Sequence, residues 1–327
     1  MRQMLNKTNY LFQRELWEHR GGVIWTPVVI GAVAMMLTVL SLVFGVGDEL
    51  NQHLDQVAEW AGGQRTADAN EPTFRIDFSR GELVPAEDDD LDWALWGSQL
   101  LGLLTPTLHG IGIVFGIVAF IVSVFYLLGS LFNDRKDRTI LFWKSLPFSE
   151  THSVLVKLAF ASLAIPLSAL VVALVVQIFF AGMTVSLIAV NTDFSLGGII
   201  SEVSVLPVFI THLLLVFIFA VKNLVLASWL LFCSALSRRS PFLTALVPPI
   251  AVVALERLVF GSSYIGVFLA SLSMDVEYEI TAWSTTSAVD LLRSFVTVTP
   301  MQFLKIVIVS GALLWGTIWL RNRRYEL

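Results

Sequence analysis

Charge is what this chain has least of: Asp, Glu, Lys and Arg make up 14% of its 327 residues, against roughly 25% in an ordinary soluble domain. That scarcity, with 56% hydrophobic residues and a mean hydropathy of +0.75, excludes disorder and argues against a water-soluble fold. Cysteine is nearly absent, and the single Cys233 rules out an internal disulfide and a cysteine-built zinc site. The five histidines, His19, His53, His109, His152 and His212, have no close metal spacing, so no metal ligands are expected. Neither G-x-x-x-x-G-K-[ST] nor G-x-S-x-G occurs, which leaves the chain without a phosphate-cradling loop or a serine nucleophile elbow. It is therefore not expected to be an enzyme or to bind a cofactor of its own.

What is present is long apolar blocks. A helix needs about 20 mainly apolar residues to cross the hydrocarbon, because lipid offers no partners to the backbone. Six stretches qualify: Ile24 to Val46, Leu108 to Phe132, Leu158 to Val190, Val205 to Phe232, Phe242 to Phe260 and Met301 to Leu320. The expected fold class is an all-α membrane protein with six transmembrane helices. Pro166 is a candidate kink in the third span, and Glu256 and Arg257 interrupt the fifth.

Of the 21 basic residues, 14 fall in the N-terminal stretch, the second and fourth connections and the tail. The positive-inside rule then places both termini in the cytoplasm. The opposite side is acidic: between Asp48 and Asp92 stand 13 Asp or Glu against Arg65, Arg75 and Arg80. The first apolar block is too long for the core of a signal peptide, so it is expected to stay as a span. Before it, Met1, Met4, Leu5, Leu11, Phe12 and Leu16 share one helical face, the pattern of an amphipathic helix lying on the membrane surface, with Tyr10 and Trp17 opposite. Residues 1–23 are thus read as an interfacial helix and 24–327 as the transmembrane domain, which includes an extracytoplasmic insert over 47–107. Leu91 to Leu104 is expected to form a further helix on the outer surface, ending where Pro106 begins the second span.

Polar residues within the spans are few. Lys222 and Asn223 in the fourth span, and Glu256 and Arg257 near the end of the fifth, fit either a transport pathway or a structural role by pairing or snorkelling. His109 and His212 read as boundary residues.

The cytoplasmic connection over 133–157 is the most informative stretch. Asn133-Asp134-Arg135-Lys136-Asp137-Arg138 is charged, whereas Ile140-Leu141-Phe142-Trp143 and Leu146-Pro147 are apolar outside any span. Such a segment is built to press on a partner or a bilayer surface, and Pro147 ends its short helix. The order charged cluster, Asp137-Arg138-Thr139, apolar residues, Ser145-Leu146-Pro147-Phe148-Ser149 and then Lys157 resembles the permease subunits of ABC-2-type ABC transporters.

The resemblance implies that this connection docks on a separate ATP-hydrolysing subunit, with Arg135, Lys136, Asp137, Arg138, Thr139, Leu146 and Pro147 at the contact. It implies export through a pathway formed with a second permease copy or a paralogue, in a bacterial inner membrane, with ATP and magnesium used by the partner. It also likens residues 261–300 to the family's outer re-entrant helices and loop. Lipid bilayer is an expected partner and nucleic acid is not. The alternatives are a non-transporting anchor or sensor, and a secondary carrier coupled to an ion gradient.

Overall fold

The computed structural model of the chain describes residues 2–43, 74–77, 82–85, 88–137, 149–191, 205–272 and 300–323. These residues are helical apart from short turns and one antiparallel pair of strands. In chain order the elements are α1 (Arg2–Glu18), a π turn (Gly21–Trp25), α2 (Thr26–Val43), β1 (Phe74–Asp77), β2 (Glu82–Pro85), α3 (Asp88–Lys136), α4 (Glu150–Ala159), a second π turn (Phe160–Ala164), α5 (Ile165–Asn191), α6 (Val205–Lys222), α7 (Leu224–Leu236), α8 (Pro241–Phe260), α9 (Tyr264–Leu272) and α10 (Pro300–Arg323). The strands pair antiparallel, with Phe74 opposite Pro85.

Six segments are long and apolar enough to cross a membrane: Gly21–Leu40, Leu103–Lys136, Glu150–Leu187, Val205–Lys222, Pro241–Phe260 and Phe303–Arg323. They make this a multi-pass membrane protein, and their outward faces agree, since Leu258 is 86% and Phe260 78% exposed within the chain.

The boundaries differ from the sequence expectation in three places. The helix expected to end at Pro106 does not, for α3 runs unbroken from Asp88 through Pro106 to Lys136. Proline disfavours helical geometry in its predecessor without forbidding it, and an isolated proline can stay inside a helix. The fourth span is divided at Asn223, whose backbone (φ −84°, ψ 9°) leaves the helical region between α6 and α7. The third begins eight residues early, at Glu150, where Ser149 caps α4 by accepting from the His152 N–H at 3.3 Å.

The described chain forms two compact units. The first comprises Met1–Pro27, Gly112–Val171 and Phe209–Leu327. Its core gathers Leu131 of α3, Val154 of α4, Phe160, Ile165 of α5, Leu231 of α7 and Leu320 of α10, with Phe12 and Leu16 of α1 against it. The second comprises Val28–Ile111 and Val172–Val208. It packs Leu104 and Leu108 against Ala181 and Val208, and the buried Gln177 donates to the Leu108 carbonyl at 2.9 Å.

Prolines shape the first unit through the carbonyls they release. A proline has no N–H to return to the preceding turn, and a carbonyl left unpaired in an apolar interior costs several kcal/mol. Pro27 releases Val23, whose carbonyl accepts from Ser168 Oγ at 3.0 Å. The π turn puts Pro166 five residues after Ala161, whose carbonyl accepts from Ser123 Oγ at 2.8 Å. Pro248 and Pro249 inside α8 release Thr244 and Ala245, which accept from Cys233 Sγ at 3.6 Å and Trp229 Nε1 at 3.1 Å. Each released carbonyl thus ties one helix to another.

Close approach matters at one glycine. A Cβ on Gly112 would overlap the His212 ring, so α3 and α6 meet there only because the side chain is a hydrogen. His212 is 1% exposed, a packed interior residue and not the boundary residue expected.

Candidate functional site

The densest polar chemistry in the first unit lies where α1, the end of α3, the start of α4 and the end of α10 meet. Glu15 lies on the same face of α1 as Leu11, Phe12 and Leu16, so the burial of that face carries its carboxylate inside. Lys157, about two turns along α4 and also buried, reaches it: Nζ lies 2.9 Å from Glu15 Oε1 and 3.6 Å from Asp134 Oδ2. Asp134 in turn takes Arg321 Nη1 at 3.3 Å and Arg14 Nη2 at 3.8 Å. Arg321 Nε also donates to Glu150 at the first turn of α4. Side chains of Glu15, Lys157, Asp134 and Arg321 are 3 to 5% exposed.

Two carboxylates, Glu15 and Asp134, and two cations, Lys157 and Arg321, therefore compensate one another away from water, with Arg14 and Glu150 at the partly exposed margin. Isolated burial of any one would cost several kcal/mol, so the pairs stand or fall together. Tyr126 donates its hydroxyl to Glu15 Oε2 at 2.7 Å, and the His19 ring lies edge-on to Tyr126 with Nε2 3.8 Å from the same oxygen. Burial pushes the Glu15 carboxyl up, but the Lys157 charge and hydrogen bond, aided by Tyr126, outweigh it and hold Glu15 below its ordinary 4.5. Burial, countered in part by Glu15, holds His19 below its ordinary 6.5. Thr8 Oγ1 lies 3.2 Å from His152 Nε2, a further tie between α1 and α4.

A second polar joint adjoins it. Ser234 of α7 donates to the Leu128 carbonyl at 2.7 Å and accepts from the N–H groups of Leu131 and Phe132 at 3.2 and 3.1 Å. Arg135 is 6% exposed, and its Nη2 donates to the carbonyls of Ser234 and Ser237 at 2.7 and 2.8 Å, closing the C-terminus of α7.

The residues proposed from sequence divide as follows. Arg135 is turned into the chain, while Lys136 and Asp137 are exposed at the end of α3. Arg138, Thr139, Leu146 and Pro147 lie outside the described residues, as do most of the 47–107 insert and most of 261–300. Lys222 and Asn223 stand at the joint between α6 and α7, where Asn223 Nδ2 donates to the Phe219 carbonyl at 3.2 Å. Glu256 is buried and structural: its carboxylate accepts from the Ile265 N–H at 2.9 Å and from Ser262 Oγ at 3.0 Å, holding the first turn of α9 against α8. Gly261, at φ 61°, makes the left-handed turn between them. Arg257, the next residue of α8, is exposed.

Sequence reasoning missed Glu15 and Asp134 as partners of Lys157, and Glu150 and Arg321 as members of the same cluster. One signal was available, a carboxylate in the middle of the apolar stripe of α1. Among the described residues no group of three or more His, Cys, Asp or Glu could hold a metal ion. No protein-family model, curated protein or solved structure matches the chain.

Proposed function

We propose that the chain is the permease subunit of an ABC-2-type exporter, in the plasma membrane of a bacterium, with both termini in the cytoplasm and the acidic 47–107 segment outside. It forms the translocation pathway with a second copy or a related chain and is moved by separate ATPase subunits, which use the ATP and magnesium. α1 is its interfacial connecting helix.

The observation that carries this reading is the buried charge cluster at both flanks of the 138–148 segment. Asp134 precedes that segment by four residues and Glu150 follows it by two, and both bond to Arg321 of α10. Lys157 ties the same point to α1. A push on 138–148 from a closing ATPase dimer therefore has nowhere to dissipate locally: α1, α3, α4 and α10 must move as one body. Buried ion pairs are a poor source of net stability compared with apolar packing, so their concentration here fits a part built for defined geometry. Arg135 faces inward and belongs to the base; the other six residues at the proposed contact act as a lever, and the cluster is its fixed base.

Arg138→Glu and Leu146→Asp test the reading. Each is expected to leave membrane insertion and ATP hydrolysis in place while transport is lost. Unchanged ATPase affinity and unchanged transport in both variants would remove the assignment.

A further inference from the structure

α8 and α9 leave between them an apolar groove of about 730 Å³, lined by Ile250, Val253, Ala254, Leu258 and Leu269, with Arg257 at its edge. A smaller hollow of about 230 Å³ continues from it past Val253 and Arg257 to Ser263. The combined space falls within the roughly 300–1,000 Å³ of sites that hold small molecules. The groove is apolar along one side and carries a single charge, a cation.

Among the described residues that cation has no counter-ion. Among the described residues Arg257 makes no hydrogen bond or ion pair. Its neighbour Glu256 is already spent on the Ile265 N–H and Ser262 Oγ. An arginine within a span costs roughly 2.5–3.5 kcal/mol at mid-depth, less toward the interface where it can reach headgroups. Arg257 stands in the last turn of α8, one turn before Gly261, and so at one end of the candidate span Pro241–Phe260, the part of a span that approaches headgroups. From Arg257 back to Ile250 the helix descends about 10 Å, and the groove runs down that length.

A ligand that satisfies this shape has an anion at the top and an apolar tail about 10 Å or more long beneath it. In a bilayer that chemistry belongs to an anionic phospholipid. We propose that the α8–α9 groove is a binding site for one anionic phospholipid, its phosphate held by Arg257 and the exposed Ser263 hydroxyl and one acyl chain lying against Val253, Ala254 and Leu269. The lipid supplies the charge that the described residues do not give Arg257. This inference rests on the membrane-spanning character of α8 and stands whether or not the chain is a permease.

The test is native mass spectrometry of the purified full chain titrated with phosphatidylglycerol or phosphatidylcholine of matched acyl chains. For the first lipid bound, the wild type is expected to favour phosphatidylglycerol by roughly fivefold to tenfold, the worth of one charge-assisted contact. Arg257→Gln is expected to abolish the preference and Arg257→Lys to keep part of it. Val253→Trp, which fills the groove, is expected to weaken both lipids. Arg257 bonds to nothing among the described residues, so its replacement is expected to leave the described helices intact, which a circular-dichroism spectrum checks. No headgroup preference, a preference that survives Arg257→Gln, or unchanged binding in Val253→Trp would each overturn the proposal. So would a crosslink from Val253→Cys to a second copy, which would show that protein fills the groove, or competition by inorganic phosphate as strong as by the lipid.

Discussion

Replacing Lys157 by Met is the sharpest perturbation of the charge cluster. Met matches the aliphatic stem but removes the ammonium that lies 2.9 Å from Glu15 and 3.6 Å from Asp134. Asp134 keeps Arg321 at 3.3 Å and Arg14 at 3.8 Å, whereas among the described residues Glu15 keeps only the Tyr126 hydroxyl and the more distant His19. The damage therefore falls mainly on Glu15, whose side chain is 3% exposed. Breaking one partner of a buried pair costs about 3–5 kcal/mol; the surviving Tyr126 bond argues for the lower end, about 3 kcal/mol. Adding Glu15→Gln should restore roughly half of that, because the amide carries no charge to strand. The assay is equilibrium unfolding in mixed micelles, with Glu18→Gln as a control. Glu18 is 49% exposed and pairs only with Arg14, so its loss should cost no more than about 0.5 kcal/mol. A Lys157→Met variant as stable as the wild type, or a double variant less stable than the single, would refute the cluster as a coupled unit.

Other outcomes follow from the same geometry. Gly112→Val drives a side chain into the buried His212 ring and should cost about 1–3 kcal/mol of unfolding free energy, with His212→Ala relieving part of it. Trp229→Phe should destabilise by about 1–2 kcal/mol, but much less in a Pro249→Ala background, where the residue-249 N–H can take back the Ala245 carbonyl; equal costs in both backgrounds would show that the bond is incidental. Acid should loosen the chain in two steps. Glu15 and His19 both sit below their ordinary values of 4.5 and 6.5, so the unfolded chain binds more protons and stability rises with pH. The His19 contribution is complete above 6.5 and declines below it, the Glu15 contribution is complete above 4.5 and is lost as pH falls further; a melting series of the wild type against Glu15→Gln and His19→Asn should lose the corresponding step in each variant.

How much of this was legible in the sequence follows from the range of the interactions involved. Spans are local: about 20 apolar residues in a row announce themselves, and all six lie close to where composition put them, apart from the early start at Glu150 and the fourth span's end at Lys222, ten residues before the expected Phe232. Their interruptions are less local. Pro106 looked like a boundary and is not one, because helical continuity depends on what the rest of the helix gains. Asn223 looked like a polar residue in a span and is a joint. The charge cluster was the least legible part, since Lys157, Asp134 and Arg321 are separated by up to 187 residues and meet only after four helices pack. Glu256 and Arg257 illustrate the limit: adjacent charges with one appearance in sequence, they turn to opposite uses, one bonding α9 and the other facing a groove.

The central claim is that work done elsewhere enters this bundle through the connection between α3 and α4. Affinity isolation of the chain from its native membrane in mild detergent, followed by reconstitution and transport measurement, tests it most directly. The account predicts an ATP-hydrolysing subunit recovered in equal proportion, with export lost when that subunit is stripped away; export sustained by a preparation free of any nucleotide hydrolase would contradict it.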